Sequence, residues 1–376
     1  MDSTPVGCEV YRTSVPMRGF EHAAASRRRA EAVVVRLVLA DGREGWGETH
    51  PRDYVTGETL DGVIEDLGRT LFPALVHAWQ GAADAAALSA ALPDAAEGRC
   101  LNAAVCALEL AALQAVEFAG APRGKRPDVR VSGVIGSSDP ARTARQLRRM
   151  RWYGLRDFKL KLGFDDQTDA ENLRLVHHKL ARGLRRGKLT LRVDVNGGWP
   201  ADEVPVRVAA LRQYGVGVVE QPCFAPATGF TELARRCELP LMADESLLAR
   251  EDAQALLAAG DRVWWSIRLS KNGGFFRAKA LADLAAERGA PFTLGCMVGE
   301  SGLLSAWQQR LLASGPRPRF VEGNYGRFLL DDDLTRPSPR IRYGGRLKSL
   351  PGPGLGVRVV DDKLAAHGRL VATLTA

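Results

Sequence analysis

Short apolar runs recur every few tens of residues in the second half of this chain, and each ends in or just before a charged or polar residue. The spacing fits a repeat of one strand, one helix and two short loops. Eight such runs can be counted, the number that closes a parallel βα barrel. We therefore predict an α/β fold with a modified (β/α)8 TIM-type barrel. The predicted strands cover residues 129–135, 158–162, 189–194, 216–220, 241–244, 263–268, 291–295 and 319–322.

The first part of the chain has a different pattern, with strands first and helices after them. An apolar run over residues 32–39 leads through an Asp41-Gly42 turn into Gly45-Trp-Gly-Glu48, which predicts a hairpin. Helical patterns follow in residues 58–78 and 98–119. This order favours a separate α+β unit that caps the barrel.

These patterns predict three segments. The α+β capping domain covers residues 1–123, the βα barrel catalytic domain covers 124–345, and a C-terminal segment covers 346–376. Residues 123–127, Arg-Gly-Lys-Arg-Pro, are predicted to form the linker. This last segment, which contains the strand-like residues 354–360, is expected to return to the capping domain.

Composition excludes several classes of function. The 376 residues are 45% hydrophobic and 26% charged, which is typical of a folded protein with a large core. The net charge of +8 comes from basic residues scattered along the sequence, so no nucleic-acid partner is predicted. The six cysteines form no CxxC pair, which argues against zinc and a disulfide framework. No apolar run nears the roughly 20 residues of a membrane span, and no signal-peptide pattern begins the chain, so we expect a cytoplasmic protein without membrane contact.

Three carboxylates stand at the same position of successive repeats: Asp194, Glu220 and Asp244. Active sites of βα barrels lie at the carboxyl ends of the strands, so these groups are expected to converge. Three converging carboxylates repel one another unless they bind a cation, and oxygen ligands without His or Cys favour Mg²⁺. Taken singly, each carboxylate also fits a structural role, as a turn residue, a rim charge or a helix N-cap.

Two lysines, Lys159 and Lys161, alternate in the second predicted barrel strand. Alternate residues of a strand point to one face about 7 Å apart. Two ammonium groups there are expected to depress each other's pKa, which would make Lys161 a general base near neutral pH. The alternative is a surface strand with solvated lysines. Beside a bound cation, such a base suits removal of a proton next to a carboxylate group.

Five motifs, in this order, resemble those of the enolase superfamily in its muconate lactonizing enzyme subgroup. They are Phe158-Lys-Leu-Lys, Asp194-Val-Asn-Gly-Gly-Trp199, Val219-Glu-Gln-Pro222, Ala243-Asp-Glu-Ser246 and Lys271-Asn-Gly-Gly274. The capping-domain stretches Gly45-Trp-Gly-Glu48 and Val55-Thr-Gly-Glu-Thr59 look most like those of dipeptide epimerases, and the resemblance extends to muconate cycloisomerases. The mandelate racemase branch uses a histidine base from the later strands. The resemblance disfavours this branch, because none of the six histidines of this chain lies near those strand ends.

The resemblance assigns roles to the strand-end residues. It implies that Lys161 is the acid/base and that Lys159 tunes it. It also implies that the three carboxylates hold Mg²⁺, which stabilises an enediolate formed by loss of the proton α to a carboxylate.

Two positions depart from the family pattern. Where the family has a second catalytic lysine, at the end of the sixth strand, this chain has Arg268 in Arg-Leu-Ser-Lys271. Arginine stays protonated and is a poor proton acceptor, so the two-base chemistry of an epimerase is weakened. Lys271 would replace the missing base only if its loop folded inward, and we expect that it does not. At strand eight the dipeptide epimerases carry an Asp-x-Asp pair for the substrate ammonium, and this chain has Glu322 and Asn324.

Several further residues are predicted to contact the substrate. Arg52, Tyr54, Thr56 and Gly57 lie in the loop that the resemblance places over the barrel mouth. Cys296 and Glu300 belong to the seventh strand and its loop; a packing role for the cysteine and a helix-capping role for the glutamate are the alternatives. The full set of predicted substrate contacts is Tyr54, Thr56, Asn196, Lys271, Cys296, Glu300, Glu322 and Asn324.

Three functions therefore follow from the sequence. We favour a Mg²⁺-dependent isomerase or lyase with one-base chemistry, either cycloisomerisation or syn-dehydration, in which Lys161 is the base and Arg268 supplies fixed charge. The alternatives are a dipeptide or amino-acid epimerase or racemase, and a non-catalytic homologue that binds metal and a small carboxylate. The expected partner is a small carboxylate substrate. Assembly into a homo-oligomer is a further expectation, since relatives of this kind often form dimers or octamers.

Overall fold

The structure is a computed structural model that describes residues 3–22, 25–117, 129–350 and 354–376. The predicted linker at residues 123–127 and the boundary after residue 123 lie outside the described residues. The three segment boundaries therefore stay predictions.

Eight parallel strands form one sheet, and strands that follow each other along the chain are neighbours in space. A parallel bridge joins Val131, two residues before the first strand, to Val321 of the last strand and closes the barrel. Together with the antiparallel capping sheet described below, this confirms the predicted fold class. In chain order the barrel strands are Gly133–Ile135, Asp157–Lys161, Thr190–Asp194, Val218–Glu220, Leu241–Ala243, Val263–Ile267, Phe292–Leu294 and Phe320–Val321.

Helices cover the outside of the barrel and bury the outward-facing residues of the strands. In the second barrel strand, for example, Phe158 and Leu160 are fully buried in the core shared with these helices. Both faces of the sheet are therefore covered, as in other parallel sheets. The α-helices of this region are Pro140–Trp152, Asp166–Arg185, Val204–Leu211, Ala227–Arg236, Arg250–Leu256, Phe275–Arg288, Gly302–Ser314, Gly326–Leu329 and Asp361–His367. Its 3₁₀ turns are Arg212–Tyr214, Leu257–Arg262 and Tyr343–Gly345.

An antiparallel sheet and a group of helices form the capping part of the chain. The predicted hairpin is present as the paired strands Ala25–Leu39 and Glu44–Thr49. The other edge of Ala25–Leu39 pairs antiparallel with Pro5–His22. The two predicted helical stretches are also present. The α-helices are Asp53–Thr56, Leu60–Asp66, Phe72–Trp79, Ala85–Ala90 and Asn102–Ala115, with a π-helical turn at Leu67–Leu71.

The end of the chain lies in the capping sheet. The last strand, Gly368–Thr375, pairs antiparallel with Pro5–His22. Residues 354–360 contribute only Arg358–Val359, which pair with Thr335–Arg336. The remaining short strand pairs are Ala95–Ala96 with Arg99–Cys100 and Ile341–Arg342 with Arg346–Leu347. Among the described residues, no helix combines the length and hydropathy needed to span a membrane.

Buried hydrogen bonds fix the capping part to the barrel. Glu48 accepts bonds from the backbone N–H of Ser301 (2.9 Å) and Leu304 (3.1 Å) at the start of a barrel helix. Its carboxylate also contacts His50 Nε2 at 2.8 Å. Glu109 accepts a bond from the N–H of Phe275 (2.5 Å) at the start of another barrel helix. Carboxylates at helix N-termini complement the helix dipole, so both glutamates stabilise the contact between the capping part and the barrel.

Two glycines of the capping sheet allow strand and helix backbones to touch. A Cβ added at Gly45 would lie 2.0 Å from the backbone oxygen of Ala111, and one added at Gly47 would lie 1.8 Å from that of Ala107. Both contacts are with the helix Asn102–Ala115. The glycines of Gly45-Trp-Gly-Glu48 are thus required by close packing.

Replacing Gly47 with alanine should lower the free energy of unfolding by at least about 3 kcal/mol, because the clash is with backbone that cannot rotate away. Urea unfolding followed by circular dichroism measures this change. Gly7→Ala is the matched control in the same sheet, since its added Cβ would lie 3.6 Å from the nearest atom, Leu374 O. We expect a loss below about 1 kcal/mol for the control. Equal losses in the two variants would contradict the packing argument.

Candidate active site

The carboxyl ends of the barrel strands bring together charged side chains that are far apart in the sequence. Lys159 and Lys161 lie on the inner face of the second strand and are 3% and 7% exposed. Asp194 and Glu220 end the third and fourth strands, where they are partners in the parallel register. Their burial in the barrel explains why each carboxylate has a cationic neighbour, since an unpaired buried charge is costly.

Lys159 is held by three carboxylates. Its Nζ lies 3.2 Å from Asp194 Oδ2, 3.1 Å from Glu220 Oε2 and 2.6 Å from Glu322 Oε2. Burial disfavours the ammonium form, but the three carboxylates outweigh it and raise the pKa of Lys159. The expectation that the two lysines depress each other's pKa is therefore wrong for Lys159. This residue acts as a fixed counter-ion.

Lys161 has a different environment. Its Nζ donates hydrogen bonds to Asp194 Oδ2 (2.6 Å) and to Asn196 Oδ1 (2.7 Å). Asn196 has a positive φ of 48°, and its N–H donates to Asp194 Oδ1 at 3.1 Å, which holds the turn after the third strand. Burial alone would raise the pKa of Asp194, but Lys161 and Lys159 hold it well below its usual range. Lys161 thus shares an ionised carboxylate with Lys159 but is bound by fewer groups.

Arg268 lies among the carboxylates of the fourth and fifth strands. Its Nη2 contacts Asp244 Oδ2 and lies 3.6 Å from Glu220 Oε1. Its Nη1 lies 3.4 Å from Met297 Sδ, and its backbone N–H donates to Asn272 Oδ1 at 2.9 Å. The guanidinium is therefore directed into the cluster, at the position where the family pattern has a lysine.

Lys271 is turned inward, contrary to the expectation that its loop stays outside. The side chain is fully buried, and Nζ donates to the backbone oxygens of Asp244 (2.6 Å) and Ser266 (2.7 Å). It also lies 3.1 Å from Asp244 Oδ1. Burial, and then the charge of Arg268, lower the pKa of Lys271. The loop is held by the capping part, where Asn102 Nδ2 donates to Lys271 O at 2.8 Å.

The three predicted metal ligands suit Mg²⁺ in donor type. All are carboxylates at the ends of adjacent strands, and Asp244 Oδ1, which lies 3.1 Å from Lys271 Nζ, makes no hydrogen bond with the described residues. Lys159 bridges Asp194 to Glu220, and Arg268 bridges Glu220 to Asp244. Within the described part of the chain, no three acidic, His or Cys side chains form a ready metal-binding group. The donor set fits the ion, provided that the two cationic side chains move aside when it binds.

The two capping residues predicted to contact substrate lie in the short helix Asp53–Thr56. Tyr54 is half-buried and Thr56 is buried. Thr56 Oγ1 accepts a hydrogen bond from the N–H of Glu58 at 3.4 Å. Neighbouring Arg52 is buried, and its Nη2 donates to the backbone oxygen of Val298 on the barrel at 3.3 Å. The loop therefore contacts the barrel beside its seventh strand, and its role in substrate selection stays a prediction.

At the eighth strand, the predicted substrate residues already have protein partners. Glu322 binds Lys159 and also Arg192, whose Nη2 lies 2.8 Å from Glu322 Oε1. Burial would raise the pKa of Glu322, but these two cations hold it at about 2. Asn324 donates to Gln308 Oε1 (2.7 Å) and accepts from Gln309 Nε2 (2.8 Å). Glu322 thus belongs to the charged cluster, whereas Asn324 is bound to the helix that follows the seventh strand.

Cys296 and Glu300 lie in the loop after the seventh strand. Burial, followed by nearby glutamates, raises the pKa of the Cys296 thiol well above its usual value, which agrees with a packing role. Glu300 Oε1 accepts a bond from the N–H of Met297 at 2.7 Å, so it braces the loop that contacts Arg268. The next helix is capped by Ser301, whose side chain accepts from the N–H of Leu303. Substrate contact by either predicted residue stays a prediction.

Stability should depend on pH through Glu300. Burial, and then repulsion by Glu48, raise its pKa to about 8 from the ordinary value of 4.5. Between these pH values the folded chain keeps a proton that the unfolded chain loses, so stability falls as pH rises. Glu300→Gln keeps the acceptor but does not titrate. Between about pH 5 and pH 8, we therefore expect the unfolding free energy of Glu300→Gln to fall by a few kcal/mol less than that of the wild type. Urea unfolding at each pH measures the difference. The exposed Glu232→Gln serves as control, and an equal slope in wild type and Glu300→Gln would contradict the assignment.

Two residues of the cluster were missed in the sequence. Arg192 is 1% exposed, and its Nη1 and Nε find no hydrogen-bond partner among the described residues. Glu245 accepts a bond from Asn196 Nδ2 at 3.4 Å, and burial followed by repulsion from Asp194 raises its pKa to about 7. The signals were present: Arg192 alternates with Asp194 on one face of the strand, and Glu245 adjoins Asp244.

The comparison with protein families agrees with this geometry. The model for the family described as enolase C-terminal domain-like matches residues 142–363, more than half of the chain. The chain belongs to the enolase superfamily. This confirms the resemblance drawn from the strand-end motifs.

Similar enolase superfamily members include enzymes of two reaction types. The L-Ala-D/L-Glu epimerase of Bacillus subtilis (strain 168) is 27% identical over 93% of this chain and 95% of its own length. Muconate cycloisomerase 1 of Pseudomonas putida is 29% identical over 90% of this chain and 90% of its own length. The structure of the muconate lactonizing enzyme from Pseudomonas fluorescens, complexed with muconolactone, has a TM-score of 0.85 at 25% identity and covers 98% of this chain and 100% of that one. These relatives are isomerase-type enzymes, which confirms the predicted enzyme class.

Proposed function

We propose that this enolase superfamily member is a Mg²⁺-dependent isomerase or lyase in which Lys161 alone moves a proton to and from the carbon next to a substrate carboxylate. The observation that carries the proposal is that the cationic side chains of the cluster have different binding partners. Lys159 is bound by three carboxylates, Lys271 is bound by backbone carbonyls, and Arg268 is a guanidinium. Lys161 is the remaining lysine, and it lies at the end of its strand.

The surrounding residues would bind and orient a carboxylate substrate. Asp194, Glu220 and Asp244 would hold Mg²⁺, which when bound supplies positive charge to the substrate carboxylate as the proton leaves. Asn196 accepts a hydrogen bond from Lys161 and therefore orients its Nζ. The negative charge that develops on the substrate would also face Arg268, a group that stays charged throughout.

A single base restricts the reaction to steps on one face of the substrate. Nζ of Lys161 takes the α-proton in its neutral form, and the ammonium that results returns a proton on the same side. In a cycloisomerisation, it protonates or deprotonates the carbon next to the carboxylate while a lactone C–O bond forms or breaks. In a syn-dehydration, it gives the proton to the leaving hydroxyl, which departs as water. Both steps need one proton carrier.

An epimerase is the second candidate, because the Bacillus subtilis relative carries that name at 27% identity. Such a reaction needs a second proton carrier on the opposite face of the α-carbon. Arg268 is a poor one, and Nζ of Lys271 is fully buried and donates to two backbone oxygens. Glu322, at the strand where dipeptide epimerases bind the substrate ammonium, is paired with Lys159 and Arg192. These contacts favour the one-base reaction.

Deuterium uptake from D2O tests the proposal. Lactone carboxylic acids and dipeptides would be incubated with the enzyme and Mg²⁺, and loss of the α-proton signal followed by NMR. We expect exchange in at least one compound, and its loss when the metal is chelated or in Asp244→Asn. Circular dichroism would confirm that the variant folds. Exchange that persists without metal and in Asp244→Asn would contradict the role given to the three carboxylates.

A further inference from the structure

A cavity of about 1110 Å³ opens at the amino-terminal ends of the barrel strands, opposite the candidate active site. Arg156 directly precedes the second barrel strand, whose far end carries Lys161, about 17 Å away at the rise of a β-strand. Lys188 precedes the third strand, whose far end carries Asp194. We call this the basic cavity, after the six arginines and two lysines in its lining. The arginines are Arg130, Arg151, Arg156, Arg182, Arg186 and Arg346.

Among the residues that the structure describes, the lining of the basic cavity contains no acidic side chain. Its other two cations are Lys179 and Lys188. Eight positive charges are therefore concentrated at one concave place, and a cavity focuses such a field on a ligand.

The eight cations converge from several elements. Lys179, Arg182 and Arg186 are spaced three and four residues apart, so they share one face at the end of the helix Asp166–Arg185. Arg130 and Arg346 are partners in an antiparallel bridge, which places them side by side. These residues span more than two hundred positions of sequence. They therefore come together only in the folded chain.

None of the eight forms an ion pair in the part of the chain that the structure describes. Nearby surface arginines behave differently. Arg207 pairs with Asp166 at 2.7 Å and with Glu203 at 2.7 Å, and Arg212 pairs with Glu238 at 2.5 Å. These two arginines have carboxylate partners, whereas no such partner is found among the described residues for the cations of the basic cavity. Cations held together without counter-charge repel one another, and an anion in the cavity would relieve this.

We propose that the basic cavity binds an oligophosphate, a ligand with several linked phosphate groups. Six of its eight cations are arginines, whose planar guanidinium groups match phosphate oxygens in pairs. The volume of about 1110 Å³ is slightly above the roughly 300–1,000 Å³ typical of small-molecule sites, which leaves room for a ligand with several phosphate groups. A nucleotide is one source of such a ligand, because the exposed ring of Tyr343 lies over Gly154 at the cavity wall and offers a face for stacking.

Calorimetric titration of the full chain with inorganic tripolyphosphate, in about 0.15 M salt, tests this site. We expect saturable binding that orthophosphate does not match. Arg182→Glu combined with Lys188→Glu should weaken it at least about tenfold. The control pair, Arg174→Glu with Arg185→Glu, changes the net charge equally on exposed positions outside the lining, and should stay within about twofold of wild type. Equal losses in both pairs, or no loss in the cavity pair, would overturn the proposal.

The source of the phosphates is decided by a second titration. Tighter binding of ATP than of tripolyphosphate, lost in Tyr343→Ala, identifies a nucleotide, whereas equal binding identifies the phosphate chain alone; both results support the site. If a single-stranded oligonucleotide instead competes at lower concentration than either ligand, the surface binds nucleic acid and the proposal fails. It also fails if tripolyphosphate does not bind; dissociation of an oligomer by the cavity pair of substitutions would then assign this surface to a subunit interface. These readouts measure binding, so they are independent of the reaction at the other end of the barrel.

Discussion

Replacing Lys161 with arginine should abolish α-proton exchange, with a loss of at least about 10³-fold. Arginine keeps the positive charge beside Asp194, which Lys161 approaches to 2.6 Å, so the charge balance of the cluster is preserved. It does not accept a proton at working pH, so the reaction loses its base. Deuterium uptake by the returned substrate, measured by mass spectrometry, checks the prediction. Lys279→Ala is the control, because that side chain lies on the outer helix Phe275–Arg288 and pairs with Asp283.

Binding must be measured in the same variant. Calorimetry should show that Lys161→Arg still binds Mg²⁺, since the three carboxylates are unchanged. If exchange persists in Lys161→Arg, the base lies elsewhere, and Lys271 becomes the first residue to test. If exchange and metal binding disappear together, the substitution has disturbed the cluster, and Lys161→Gln then separates the two effects.

The second large effect is expected at Arg268. Arg268→Lys places a group that can accept and return a proton at the end of the sixth barrel strand, beside Glu220 and Asp244. We expect the rate of inversion at the α-carbon to rise at least about tenfold over wild type in this variant. The reason is that a second acid/base group would then lie on the opposite face of the substrate. Chiral chromatography of the returned substrate measures the gain.

Arg262→Lys is the matched control for this prediction. It makes the same change at the other end of the same strand, where Arg262 Nη1 donates to Cys237 O at 2.7 Å. No inversion is expected from it. If Arg268→Lys exchanges protons at the wild-type rate without any inversion, the sixth strand end does not reach the second face of the substrate, and the reason given for one-base chemistry is wrong.

The arrangement of the strand-end cluster could be predicted because it depends on short-range rules. Alternation in a strand places Lys159 with Lys161, and parallel strands bring Asp194 level with Glu220. The same rule would have placed Arg192 in the cluster, so that omission was avoidable. Burial on both faces made the strands recognisable as short apolar runs, and each observed strand overlaps its predicted range.

Contacts between the two parts of the chain could not be predicted in this way. Lys271 turns inward because its loop is held by Asn102 of the capping part, which is 169 positions away. The pKa of Lys159 depends on Glu322 from the eighth strand as well as on its neighbours. The basic cavity is a further example, since its cations are scattered in the sequence and gather only when the barrel closes.

The configuration of deuterated substrate returned by the wild-type enzyme in D2O, with Mg²⁺ present, tests the one-base reaction most directly. With Lys161 as the single proton carrier, deuterium should enter at the α-carbon with retention, and the enantiomer or epimer should stay at background. Deuterium in both configurations from the start of the reaction would contradict the account, because it would show that a second group on the opposite face moves protons in spite of Arg268.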